Sequence, residues 1–175
     1  MSNVADARKF AKKKHAGQLR KNGKTTTFSH LEDVVKNLKK MKIKNEDIIC
    51  AGWLHDTIED TDTDFDSIKE RFGINITKIV VSVTKDNRLP KKQREAKYVQ
   101  ELKSASMNAK LVKIADILAN VNDAPNAGKN ELWERQQFLK KSKYWSYVSD
   151  VKPGKIAELR WAKNEWKRIQ EKYSS

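Results

Sequence analysis

Cysteine, proline and glycine are scarce in this sequence. A single cysteine, Cys50, has no partner for an internal disulfide and suits a reducing compartment. Three prolines and six glycines in 175 residues are too few for the turns of an all-β sandwich or for a low-complexity tail. No apolar run approaches the roughly 18 residues of a membrane span. The first ten residues, MSNVADARKF, lack the apolar core of a secretory signal. These absences leave one domain over 1–175, expected in the cytoplasm and away from membranes.

Charge is abundant instead. The chain carries 37 Lys and Arg against 23 Asp and Glu, a formal net charge of +14. A surplus of that size suggests a polyanionic partner, so its distribution matters more than its total. Residues 1–28 hold eight bases against one acid, and residues 129–175 hold twelve against six. Between them the balance is close to neutral, and the stretch 46–70 reverses sign, with nine acids against Lys69 alone. Clustered carboxylates repel the phosphates of nucleic acid, which argues against a nucleic-acid binder. A divalent cation resolves the conflict, since carboxylates hold it and it attracts phosphate in turn.

Apolar residues recur at helical spacing along most of the chain. Val4, Ala7, Phe10 and Ala11 share one face, and Gly17 and Asn22-Gly23 mark a loop carrying Gln18, Arg20 and Lys21. Ser29 is expected to cap a helix through Leu31, Val34, Val35 and Leu38, and Asn45 to cap another that ends near His55. Thr63 or Asp64 starts a short helix closing at Gly73. The β-branched run Ile74 to Val83 repeats at 76, 79, 80 and 83, which favours helix over strand. Further helices are expected from Pro90 through Leu102, over 108–120, and over about 131–148 and 155–172, the last two split by Pro153-Gly154. Asp123 to Lys129 reads as loop. The fold expected is all-α, a bundle of about eight or nine helices.

The sharpest local feature is Leu54-His55-Asp56-Thr57-Ile58-Glu59-Asp60-Thr61. Adjacent His and Asp at a helix end can reach one cation through nitrogen and oxygen. If the helical turn continues, Glu59 lies four residues from His55, and Asp60 four from Asp56. A solvated acidic helix end beside a core histidine would give the same local pattern. Asp116, in the mostly apolar Lys113-Ile114-Ala115-Asp116, points further, because a bare buried carboxylate is costly. Lys113 and Asn120 lie one turn to either side of it. Three helices could gather His30, His55, Asp56 and Asp116 around one ion, with open positions for water and substrate, a donor set suited to Mn(II) or another divalent metal.

The strings His15-Ala16-Gly17-Gln18-Leu19-Arg20-Lys21, His30, LHDTIEDT at 54–61 and KLVKIADILAN at 110–120 resemble the hydrolase domain of RelA/SpoT enzymes. The similarity is closer to the small stand-alone alarmone hydrolases, and it runs in order from about residue 5 to 122, with softer likeness beyond. The resemblance implies an HD-domain helical bundle whose metal-site core is that segment, with the helices at 131–172 packed on it. It implies His30, His55, Asp56 and Asp116 as ligands of manganese, and Glu59 and Asp60 as the acid/base pair acting on the attacking water. It implies Arg20, Lys21 and Asn120 as substrate contacts, with Lys113 beside them. The reaction implied is hydrolysis of (p)ppGpp at its 3′-diphosphate, giving pyrophosphate and GDP or GTP, without a synthetase domain.

Some residues depart from the family pattern. Thr27-Phe28-Ser29 and Leu31 flank His30 where the family has Pro-Tyr and Pro, and Ile117 and Asn122 replace basic residues near Asp116. These changes bear on substrate identity more than on metal binding. Another nucleotide phosphohydrolase, such as one removing the 2′-phosphate of NADPH, is the alternative within the enzyme class. A basic RNA- or partner-binding module without activity is the alternative outside it. His15 is expected to pack or hydrogen-bond, and the aromatic set Trp133, Phe138, Tyr144, Trp145, Tyr147, Trp161 and Trp166 to form core, with Tyr144 or Tyr147 able to close the nucleotide pocket. Oligomerisation remains possible.

Overall fold

The computed structural model describes residues 3–20, 23–150 and 156–174. Among them are helices α1 (Asn3–Lys14), α2 (Thr27–Lys40), α3 (Glu46–Leu54), α4 (Thr57–Asp60), α5 (Phe65–Phe72), α6 (Ile74–Val83), α7 (Lys91–Ser104), α8 (Met107–Asp123), α9 (Glu131–Val148) and α10 (Ile156–Ser174). The only extended pairing among the described residues is an isolated antiparallel bridge, Leu19 to Thr26. The all-α expectation holds. No described helix is long and apolar enough to cross a membrane.

Helix starts follow their capping residues. Asn45 accepts from the backbone N–H of Asp47 and Ile48, and Asp64 from that of Ser67, so both satisfy donors that a helix start leaves open. Ile74–Val83 is helical because its buried side chains, Ile76, Ile79, Val80 and Val83, recur every three or four residues.

Three boundaries differ from the sequence expectation. The cap of α2 is Thr26, whose hydroxyl accepts from Ser29 N at 3.1 Å; Ser29 sits inside the first turn and donates its own hydroxyl to Thr26 O. The helix therefore starts one turn earlier than the sequence suggested. Pro90 precedes α7, with Arg94 N bonding back to its carbonyl. Asp123 still belongs to α8, and Ala124–Ala127 forms a 3₁₀ turn that tolerates Pro125 near its start, where a missing N–H costs nothing. The break expected at Pro153-Gly154 lies outside the described residues.

Helix α8 is the axis of the bundle. Every residue from Leu111 to Ala119 is buried, so the helix is surrounded on all sides, by α2, α3, α6, α9 and α10. Helix α3 packs on α1, α2 and α6. Gly52 permits the close approach of α3 to α2: a Cβ there would lie 2.7 Å from Leu38 Cδ1 and 3.4 Å from Val35 Cγ2. Leu38 is itself fully buried. This contact brings the start of α2 and the end of α3 against the middle of α8, where His30, His55 and Asp116 lie.

Candidate metal centre and its pocket

The His55-Asp56 pair occupies the two-residue turn between α3 and α4. The end of α3 leaves carbonyl groups open, and the turn fills them: Thr57 Oγ1 donates to Leu54 O at 2.6 Å, and His55 Nδ1 lies 3.0 Å from Gly52 O. A carbonyl only accepts, so Nδ1 of His55 carries a proton, and Nε2 is the ring atom turned toward the two carboxylates. That Nε2 is buried and makes no hydrogen bond of acceptable geometry among the described residues. It lies 3.1 Å from Asp56 Oδ1 and 3.7 Å from Asp116 Oδ1. His30 Nε2, from α2, lies 3.2 Å from Asp116 Oδ1 and 3.8 Å from Asp56 Oδ2. Ligand atoms of His30, His55 and Asp56 all fall within 4.8 Å of one another. Two imidazole nitrogens, one of them buried without a hydrogen bond, and two carboxylates fit a divalent cation of nitrogen-and-oxygen preference.

Electrostatics in this cluster is dominated by burial and by the two aspartates. Burial pulls the His55 imidazole down, but the Asp56 carboxylate outweighs it and the pKa rises to about 10. For His30 burial prevails and the shift is downward. Burial also opposes the charged form of Asp116, yet the Lys113 ammonium beside it holds its carboxyl well below the usual range. Lys113 Nζ is 2.7 Å from Asp116 Oδ2 and sits 5.2 Å from the ring centre of Tyr98 and 5.6 Å from that of Tyr144. Asn120 donates to Asp116 Oδ1 and to its backbone carbonyl. One oxygen of Asp116 is thus held by Lys113, while the other faces both histidines.

Glu59 and Asp60 lie on α4, whose one turn is continued from the preceding bend by the Asp60 N to Asp56 O bond. Two loops hold that turn. Lys85 N donates to Glu59 Oε2 at 2.8 Å and Asn87 Nδ2 to Glu59 O at 2.9 Å, while Gln18 Nε2 donates to Asp60 O at 2.9 Å. His15 is buried and contacts Gln18 Oε1 through Nδ1 at 2.7 Å, the hydrogen-bonding role the sequence suggested. Partial burial raises the Glu59 carboxyl, with the Lys85 N–H acting in the opposite direction.

His30, Asp56, Glu59, Asp60, Lys113 and Asp116 line one cavity of about 380 Å³, within the range of small-molecule sites. His30, Asp56, Glu59, Asp60 and Asp116 form its floor, and Arg20, Asn120, Asp123 and the 3₁₀ turn form its far end. Arg20 is placed by the Leu19–Thr26 bridge and by Arg20 N to Thr25 O; its side chain bonds Asp123 Oδ2 at 2.9 Å and Asn120 Oδ1 at 3.1 Å. Lys113 reaches the cavity wall but is only 7% exposed, with its ammonium directed at Asp116. Lys21 lies outside the described residues.

The sequence reading missed most of the remaining wall. Lys85 enters from the 84–90 segment, and Trp133, Gln137, Lys141 and Tyr144 enter from one stripe of α9. The three- and four-residue spacing of that stripe was visible, but its aromatics fit core packing equally well. Tyr144 does line the pocket; Tyr147 instead stands over Lys103. Phe138, Trp145, Trp166 and Tyr173 stack on one another away from the cavity, as core.

Residues 7–143 match the family described as HD domain. The chain is 37% identical over 147 residues to a guanosine-3′,5′-bis(diphosphate) 3′-pyrophosphohydrolase of Danio rerio, spanning 83% of this chain and 79% of the relative. The Homo sapiens protein of the same description is 33% identical over 155 residues, spanning 87% and 84%. A solved structure described as a metazoan ortholog of SpoT that hydrolyses ppGpp superposes with a TM-score of 0.80 at 26% identity. That superposition covers 94% of this chain and 96% of the other.

Proposed function

The chain belongs to the HD-domain family, and we propose that it is a manganese-dependent (p)ppGpp 3′-pyrophosphohydrolase. The observation that carries this reading is the cavity shared by His30, Asp56, Asp116, Glu59 and Asp60, with the buried Nε2 of His55 turned toward the same two aspartates. The relatives reported above, over most of their length, bear the name of that activity. His30, His55, Asp56 and Asp116 would hold the ion. A divalent cation at such a site supplies Lewis acidity and lowers the pKa of water toward neutrality.

The chain's own residues then do the rest. Glu59, fixed through Oε2 by the Lys85 N–H, keeps a second oxygen to accept the proton of the attacking water. Asp60, on the same turn and tethered by Gln18, completes the acid/base pair. Water attacks the phosphorus attached to the ribose 3′ oxygen, that P–O bond breaks, and the departing oxygen takes up a proton. Pyrophosphate and GDP or GTP leave. Arg20 and Asn120 contact the nucleotide at the far end, and Lys113 offsets charge beside Asp116.

Purified protein loaded with Mn(II) should convert ppGpp to GDP and pyrophosphate in equal amounts, lose activity on chelation and regain it with Mn(II). Absence of turnover with one bound manganese per chain would overturn the assignment.

A further inference from the structure

The start of α7 carries two neighbouring residues, Arg94 and Glu95, that each hold one residue of the segment between α6 and α7. Glu95 Oε1 accepts from Lys85 Nζ at 2.9 Å, and Arg94 Nη1 donates to Asn87 Oδ1 at 2.9 Å. Both held residues in turn bond Glu59. Lys85 N donates to its Oε2 at 2.8 Å, and Asn87 Nδ2 to its carbonyl oxygen at 2.9 Å. Two chains of hydrogen bonds therefore run from α7 to Glu59. One ends on its carboxylate and the other on its backbone.

The Lys85 ammonium is committed to this link. The Tyr144 hydroxyl donates to Glu95 Oε2, and its oxygen accepts from Lys85 Nζ at 3.2 Å, which closes a triangle. The ammonium also lies 5.0 Å from the ring centre of Tyr98 and 5.3 Å from that of Tyr144. The Lys85 side chain is only 15% exposed, so its pair with Glu95 is shielded from water as surface ion pairs are not. Just before it in the chain, Tyr98 Oη donates to Val83 O and Thr84 Oγ1 to Val80 O. The peptide that carries the Lys85 N–H is thus held from both sides, and that fixes its direction toward Glu59. Glu95 itself is not among the residues that line the cavity.

We propose that Glu95 is a positioning residue for the reaction: through the Lys85 side chain it sets the backbone N–H that orients the Glu59 carboxylate. Arg94 and Asn87 form the second arm of the same clamp. The assignment rests on the hydrolase reading above, with Glu59 as proton acceptor. A carboxylate released from the clamp spends less time aimed at the attacking water. Turnover then falls while ground-state binding of the nucleotide does not.

Steady-state kinetics with ppGpp, on the full chain loaded with Mn(II), tests the clamp at a temperature where thermal melts show every variant folded. Glu95→Gln should lower kcat about tenfold and leave KM within about twofold, with manganese content unchanged. Lys85→Met should do the same. The double variant should be no slower than either single one, because both changes remove one link. Unchanged kcat in Glu95→Gln, or losses that multiply in the double variant, would overturn the proposal. So would a raised KM with kcat intact in Lys85→Met, which would make its ammonium a substrate contact. Hydrogen exchange of the 84–90 segment gives a readout without turnover. In Glu95→Gln the Lys85 amide should exchange about tenfold faster, while the amides of α8 keep their rates. Unchanged exchange would overturn the clamp. A wild type that fails to turn over ppGpp but shows this local difference would sink the hydrolase reading and leave the clamp standing.

Discussion

Two carboxylates that line the same cavity have separable tasks. Asp116 is buried, held by Lys113 and Asn120, and aimed at both histidines. Removing its carboxylate strips two histidines of a common partner and leaves the Lys113 ammonium buried without a counter-charge. Asp116→Ala is therefore expected to lose bound metal, measured by elemental analysis after gel filtration, and to melt at lower temperature. Glu59 lies beside that cluster, and its carboxylate is fixed by a loop N–H rather than by a histidine. Glu59→Ala should retain metal and lose about 10²–10⁴ in kcat, the range for removing a general base. Full activity in Glu59→Ala would reject its catalytic role, and metal loss in that variant would make it part of the cation site.

The elements are arranged so that one close contact sets the site. Helix α3 meets α2 at Gly52, whose missing side chain leaves room for the buried Leu38, and the Gly52 carbonyl also orients His55. Gly52→Ala puts a methyl group within 2.7 Å of Cδ1 of a fully buried leucine. Overpacking of this kind costs about 1–3 kcal/mol. Chemical denaturation should show a loss of that size, accompanied by weaker metal retention because the separation of His30 from His55 depends on the same contact. A variant as stable as wild type would mean that Leu38 repacks freely. The short α4 depends on its neighbours differently: four residues are too few to be a stable helix alone. Bonds from Gln18, Lys85 and Asn87 supply what local propensity does not.

At the scale of the molecule, the C-terminal helices are tied to the catalytic half by charge as well as by packing. Glu95 on α7 accepts from Lys85 Nζ and from the Tyr144 hydroxyl on α9, joining three segments beside the pocket. Burial raises the Glu95 carboxyl, but these two donors prevail and its pKa falls to about 2. A carboxylate depressed in the folded state stabilises above its unfolded pKa, near 4.3, and that contribution disappears as pH falls toward 2. Glu95→Gln lacks the ionisable group, so the gap in unfolding midpoint between wild type and variant should be widest above pH 4.5 and close as pH falls toward 2. A gap independent of pH would show that the pairing contributes nothing through charge. The basic surplus lies at both ends of the sequence and the acidic stretch between them, a distribution suited to a small polyanion.

Periodicity and capping act within a few residues, so the all-α class, the cap at Asn45, and the helical rather than extended state of Ile74–Val83 were determined by sequence alone, while Thr63 and Asp64 stayed open as starts of α5 until the structure chose Asp64. Residue chemistry at short range also singled out His55-Asp56 and the carboxylate of Asp116 inside an apolar helix. The start of α2 was misplaced because Thr26 and Ser29 are both competent caps, and the choice between them depends on the bridge that closes the preceding loop. The tertiary structure decided what lies across the cavity. Lys85 meets Tyr144 at a separation of 59 residues, and Arg20 meets Asn120 at 100. No local rule relates residues so far apart, since their proximity follows from how the helices pack. The same holds for the α9 stripe: Trp133, Gln137 and Lys141 have the spacing of a core face, and only the packing of α9 turns that face toward an open pocket instead of a neighbouring helix.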